Sequence, residues 1–422
     1  MSNGERNRWA RAGLSRLMEP NDLTGLALVA VAGAEEAFRL VAGHTGPAPA
    51  AERQAVAELL ADGSATKAEH RLDAGLQRWR PRAADCAPAR DLETMRRLGG
   101  GLLVPEDPGW PEQFDALGLS APLCLWWRGR TGPESLPGVR DLMAIVGSRD
   151  ATEYGRHVTA ELAARVVASG VTVVSGGAYG IDARAHESAL SVESRDLGAP
   201  GPATPGASDE CPAPRTIAVM AGGLDRFYPA GNEELLRRVA ADGALIAEVP
   251  PGTAPTRWRF LQRNRLIAGL CAATVVAEAR WRSGALTTAR RAAEMGREVG
   301  AVPGSVFSAN SAGCHRLLRE GSAVAVTDAA EALELLGERR GHAEQATSGA
   351  AAREHASARQ HDGLDIQDLL LLDALPVRTA STPDKLATVA GLGIGAVLGG
   401  LSRLEDRGLA RRVGQGWQRG GD

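Results

Sequence analysis

The sequence predicts an α/β protein: a Rossmann-like, mostly parallel sheet, with an N-terminal helical module before it and a C-terminal winged helix after it. Three observations carry that expectation. From about residue 142, short apolar runs recur: LMAIVG (142–147), VTVVSG (171–176), TIAVMAG (216–222), ALIAEV (244–249), ATVVAEA (273–279), EVGAVPG (298–304) and AVAV (323–326). The runs are continuous rather than alternating, which suits strands covered on both faces, and helical segments separate most of them, which makes the strands parallel. Before residue 82 and after residue 363 the apolar spacing is helical instead.

Taken in order, residues 1–90 read as the helical module. Leu14, Leu17 and Met18 have helical spacing, and EEAFRLVAG (35–43) ends in a glycine stop. Residues 91–336 hold the sheet. Within them, 191–215 is rich in Gly, Pro, Ser and Asp and reads as a disordered surface insertion. The polar, small-residue stretch 337–363 reads as a linker. In 364–422, three helical segments and a short hairpin turning at Gly414 and Gly416 suggest the winged helix. Its third helix places Ile394, Val397, Leu398, Leu401 and Leu404 on one apolar stripe.

Composition narrows the function classes. With a net charge of −3 the chain is not a polycation, so any nucleic-acid contact must come from a local patch. Lys67 and Lys385 are the only lysines. The five cysteines form no CxxC or zinc spacing, which fits a reduced compartment. The charged start MSNGERNRWARAG has no apolar signal core, and LTGLALVAVAGA is too short to span a bilayer. The expectation is a cytoplasmic protein without a membrane anchor.

Two strand ends run into loops rich in small donors, GSR (147–149) and SGGAYGID (175–182). Open parallel sheets bind ligands beyond the carboxyl ends of their strands. Glycine there lets backbone N–H groups approach an anion, and the next helix N-terminus favours negative charge. Gly147, Ser148, Arg149, Ser175, Gly176 and Gly177 are therefore candidate anion contacts, with tight strand-to-helix turns as the alternative reading of the glycines. Neither loop has GxGxxG or GxxxxGK(S/T) spacing, so no nucleotide cofactor is expected. SGALTTA (283–289) opens another helix, with Ser283 as a phosphate donor or a simple cap. Asp182 and His186 stand at i, i+4 without a third ligand, so no metal is expected; a helix-start carboxylate bonded to a partly buried His is favoured. Glu248 and Glu278 fall at strand ends, as a general base or as partners of nearby arginines.

RWRFLQRNR (257–265) packs four arginines and two aromatics into nine positions. Arg259 and Arg263 share a helical face, flanked by Arg257 and Arg265, and no acid interleaves. Trp258 and Phe260 offer rings on which a base can stack. By itself the stretch fits a solvated face and a polyanion surface equally well. Its place between the fourth and fifth apolar runs sets it near the same sheet edge.

AIVGSR, YG, VVSGGAYGIDARAHESAL, TIAVMAGGLDRFYP, AEVPPG, RFLQRNRLIAGL, VVAEA, SGALTTA, GREVGAVPG and SAGCHRLLREGSA occur in this order. With LLVPEDPGWPEQFDALGLSAPLCLWWRG (102–129) upstream, they resemble the DprA (DNA-processing protein A, also called Smf) family over nearly the whole chain. The resemblance implies a cytosolic protein that binds single-stranded DNA without marked sequence preference. It implies protection of incoming DNA in natural transformation, loading of the recombinase RecA, dimerisation through the Rossmann-like domain, and no enzymatic activity. The family's DNA-binding residues fall on Gly147, Ser148 and Arg149 and on Phe260, Arg263, Asn264 and Arg265; Arg257 and Arg259 match a basic neighbourhood rather than a fixed motif position.

Two departures stand out. The insertion at 191–215 replaces a short connection, and residues 363–422 carry seven basic and seven acidic side chains, which suits a protein-contact role better than base reading. A nucleotide-processing enzyme of phosphoribohydrolase type is the main alternative; AGGLDRFYP lacks the PGGxGT-type loop that such an enzyme carries. A transcription regulator rests on the winged helix alone.

Overall fold

The computed structural model describes residues 1–44, 47–60, 65–130, 132, 136–192, 213–337, 364–376, 380–414 and 416–420. The contacts divide the chain into two compact units, Met1–Ala343 and Glu344–Asp422. The expected linker beyond residue 337 and residues 193–212 of the expected insertion lie outside the described residues.

One nine-stranded sheet organises the first unit. Its strands are β1 (Gly100–Leu103), β2 (Leu125–Gly129), β3 (Leu142–Gly147), β4 (Thr172–Gly176), β5 (Thr216–Met220), β6 (Ala244–Ala247), β7 (Ala273–Glu278), β8 (Glu298–Ala301) and β9 (Val324–Ala325). Across the sheet they stand in the order β1-β2-β6-β5-β4-β3-β7-β8-β9. The seven apolar runs are β3 to β9, paired parallel throughout. Helices cover both faces, which is why TIAVM of β5 is buried at every position. β1 and β2 were not legible in the apolar pattern. They add an antiparallel edge on β6, and GGLL and LWWRG are too short and mixed to read as strands.

The helices of this unit are α1 (Asn3–Leu17), α2 (Leu23–Ala32), α3 (Ala34–Ala42), α4 (Ala50–Leu59), α5 (Ala65–Trp79), α6 (Pro88–Arg97), α7 (Glu153–Ala168), α8 (Ile181–Ser191), α9 (Glu233–Asp242), α10 (Arg257–Leu270), α11 (Ala285–Glu294), α12 (Ala312–Arg319) and α13 (Ala329–Glu334). The N-terminal helices pack Leu14, Leu17, Phe38 and Trp79 into their own core. α1 then docks on the sheet side. Arg16 grips Asp91 through two bonds of 2.6 and 2.8 Å and reaches the Pro251 carbonyl at 2.6 Å.

Strand order decides where a ligand can sit. The chain adds β4, β5 and β6 on one side of β3, then returns to place β7 on the other. Such a reversal opens a crevice at the carboxyl ends of the two strands. α10 makes the return, crossing over β5, β4 and β3. Its length splits accordingly: Gln262 to Leu270 are all buried, whereas Arg257, Trp258 and Leu261 are exposed at the carboxyl edge. Beneath it, fully buried Phe114 packs where a Cβ on Gly269 would lie 3.2 Å from its ring.

The second unit has helices Ile366–Ala374, Pro383–Ala390 and Ile394–Asp406 and an antiparallel hairpin, Ala410–Val413 with Gly416–Arg419. Its core holds Leu371, Leu372, Leu386, Val397, Leu401 and Leu404. The expected stripe narrows, because Ile394 and Leu398 are 45% and 54% exposed. At 100° per residue these two drift to the rim of the face that Val397, Leu401 and Leu404 centre. Among the described residues no single helix is long and apolar enough to cross a membrane.

Phe114→Ala removes the ring that supports α10. It should lower unfolding free energy by about 3–5 kcal/mol, read as a lower denaturant midpoint at unchanged slope.

Candidate nucleic-acid interface

At the carboxyl edge, above the β3/β7 reversal, lies an open groove of about 780 Å³. One wall is the loop after β3, with Gly147, Ser148, Arg149 and Asp150. The second is the start of α10, with Arg257, Phe260, Arg263 and Asn264. The third is the loop and helix start after β7, with Arg280, Arg282, Ser283, Thr287 and Thr288. Tyr228 closes one end, its ring 5.9 Å from that of Phe260.

The arginines sort by partner. Arg259 is tied to Glu19 by bonds of 2.9 and 3.0 Å, and Arg265 is buried against Glu248 at 2.7 Å. Arg280 pairs with Asp150 and bonds Asn310 at 2.6 Å. Arg149, Arg257 and Arg282 are exposed and make no hydrogen bond or ion pair among the described residues. Arg149 instead lies over the Phe260 ring, its Cζ 5.0 Å from the centroid. α10 has no acid in its first turn, and Thr256 caps it by accepting from the Arg259 N–H at 3.2 Å. Arg257 therefore adds a full positive charge to a helix end that is already partly positive, an arrangement that repels itself until an anion arrives.

Arg263 forms the floor. It is 7% exposed, donates from Nη1 to the Val219 carbonyl at 3.0 Å, and has no partner for Nε among the described residues. Burial pushes its pKa down while the neighbouring Asp182 carboxylate opposes that. Asp182 is raised by the same burial, with Arg263 pulling the other way. Gly176 makes the fit: a Cβ there would stand 1.8 Å from Arg263 Nη1 and 2.5 Å from Asp182 Oδ2.

His186 is fully buried and does not bond Asp182, which corrects the helix-start pairing expected from the spacing. Its Nε2 faces the Gly176 carbonyl at 2.8 Å and its Nδ1 faces Thr216 Oγ1 at 2.7 Å. A carbonyl only accepts, so Nε2 carries the proton. Burial lowers the imidazole pKa to about 4, and the neutral ring braces the end of β4.

Of the residues singled out from sequence, Gly147, Ser148, Arg149, Arg257, Phe260, Arg263, Asn264 and Ser283 line the groove. Ser175 does not: it is fully buried and donates to the Ile145 carbonyl at 2.6 Å, because β4 is still inside the sheet there. Gly176 lies behind Arg263, and Gly177 lines an adjoining cavity of about 240 Å³ that shares Tyr228, Phe260 and Arg263 with the groove. Arg259 and Arg265 face away from the groove, drawn to acids distant in sequence. Glu248 holds Arg265, and Glu278 accepts from the Thr152 N–H at 2.9 Å and from its hydroxyl, so both strand-end carboxylates are engaged. Tyr228 and Arg282 escaped the sequence reading; Arg282 directly precedes SGALTTA, and that adjacency was the available signal.

A doubly covered, mostly parallel sheet with an arginine-lined crevice at its strand reversal defines a Rossmann-like protein with a basic groove. Comparison with known proteins gives the particular family. The model of DNA recombination-mediator protein A matches residues 101–337. The DNA processing protein DprA of Mycobacterium tuberculosis is 42% identical over 347 residues, covering 80% of each chain. Protein Smf of Synechocystis is 32% identical over 354 residues, covering 79% of this chain and 83% of its own. The X-ray structure of DprA from Streptococcus pneumoniae superposes with a TM-score of 0.53 at 27% identity, over 78% of this chain and 97% of that one. The chain belongs to the DNA recombination-mediator protein A family.

Glu248→Ala strands the buried Arg265 guanidinium and should cost about 3–5 kcal/mol in a denaturant titration. The depressed His186 pKa sets a pH limb. The unfolded chain takes up the proton at the usual 6.5 and the folded one only near 4, so this contribution is complete above pH 6.5 and is lost as pH falls toward 4. The loss is on the order of 3 kcal/mol, and His186→Gln should flatten that limb in stability measured across the same window.

Proposed function

We propose that the groove binds single-stranded DNA and that the chain acts by binding rather than catalysis, as a recombination mediator. In this reading it protects the strand, passes it to the recombinase RecA, and works in the cytoplasm as a homodimer through its Rossmann-like domain. The observation that carries the proposal is the trio Arg149, Arg257 and Arg282, cations without an acid partner among the described residues, set around the Tyr228–Phe260 shelf. Phosphates neutralise the arginines, and bases stack on the exposed Tyr228 ring beside half-buried Phe260. Paired duplex bases offer no free face for such stacking, which favours single strands. The groove carboxylates support binding over hydrolysis: Asp150 is paired with Arg280, and Asp182 is buried against Arg263. Membership of the recombination-mediator family supports the same reading. Residues 1–90 serve as a module that steadies α10, through Glu19 on Arg259 and Asn21 on Gln262. Residues 364–422 serve as a winged helix for protein contacts.

Gel shifts with single- and double-stranded DNA at two salt concentrations test this. Single strands should bind preferentially. With about three phosphates neutralised, log K should fall against log salt with a slope of about −2, and Arg149→Ala with Arg257→Ala should reduce it to about −0.7. Unchanged affinity and slope in the double variant would overturn the assignment.

A further inference from the structure

We propose that Trp281 is a second stacking station, which takes a base of the strand where it leaves the groove past the β7–α11 loop. This rests on the single-strand reading of the groove and extends it beyond the groove wall. Aromatic residues make up only 4% of this chain, and Trp79 and Trp126 are fully buried, yet Trp281 is 52% exposed. It sits between Arg280 and Arg282, both of which line the groove. The Arg316 guanidinium lies over its ring, Cζ 5.1 Å from the centroid, and Glu320 holds that guanidinium at 2.8 Å. The indole is therefore supported by a paired cation while about half of its surface is open to solvent, the form of a stacking platform.

The loop is held in place before any ligand arrives. Ala279 N–H donates to the Asn310 carbonyl at 2.7 Å, Gly313 N–H donates to the Ala279 carbonyl at 2.7 Å, and Ser283 N–H donates to the Arg280 carbonyl at 3.0 Å. A base arriving there pays little to order the ring. Arg282, without an acid partner among the described residues, supplies the adjacent phosphate contact. Trp258 is similarly exposed at 54%, but among the described residues no guanidinium is stacked on it, and the neighbouring Arg259 is already held by Glu19.

The experiment measures binding of the full chain to oligothymidines of about 6 and about 20 nucleotides, lengths that fill the groove alone or run beyond it. Trp281→Ala should weaken the longer strand about tenfold and leave the shorter one unchanged, with Trp281→Phe restoring most of the loss. The exposed ring should leave the denaturation midpoint unmoved. Equal effects on both lengths, or no effect on the longer, would overturn the Trp281 assignment while leaving the groove reading intact. A change in sedimentation of the variant without DNA would place Trp281 in an interface between copies and overturn it too. If the unaltered chain binds neither length, the groove reading fails and takes this one with it.

Discussion

The reversal of strand order between β3 and β7 is the constraint on which the rest depends. A parallel sheet that grows outward from β3 through β6 and then resumes on the far side of β3 must send a connection back across its own face. α10 is that connection, and its two halves meet opposite demands. The half over the sheet is buried from Gln262 to Leu270; the half at the carboxyl edge begins with Arg257, faces water, and crowds positive charge at a helix N-terminus. The crevice, the basic wall and the helix dipole are consequences of one topological step.

Neutralisation then decides which cations are left for a ligand. RWRFLQRNR contains no acid, but the fold brings Glu19 to Arg259, Glu248 to Arg265 and Asp182 beside Arg263. The first two pairings fasten α10 to the N-terminal helices and to the end of β6. The third builds the groove floor against Gly176, where only hydrogen fits. The groove arginines that remain without an acid partner among the described residues come from three separate segments: Arg149 after β3, Arg257 on α10 and Arg282 after β7. The N-terminal helices thus act on the groove without lining it, by removing one arginine from the free set and fixing the helix that carries Arg257.

Much of this was legible in advance, for identifiable reasons. Continuous apolar runs announced the parallel strands because both faces of each strand are covered, and GSR announced the first wall because a glycine-serine turn at a strand end suits an anion. β1 and β2 were illegible because an antiparallel edge of four or five mixed residues leaves no such run. His186 was misassigned to Asp182 because helical spacing reports neighbours on one helix, whereas its partners, Thr216 and Gly176, belong to adjacent strands.

The sequence by itself determined the helices and the parallel strands β3 to β9, the family and the residues from which a groove wall is drawn. Those properties depend on local pattern and on motif order along the chain. Only the tertiary structure decided which arginines of RWRFLQRNR are available. Charge neutralisation depends on distance in space, and the acids that claim Arg259 and Arg265 lie 240 and 17 residues away along the chain. The same reason separates Arg282 from its anonymity in the sequence: it has no motif of its own, and its role in the groove follows from where β7 ends.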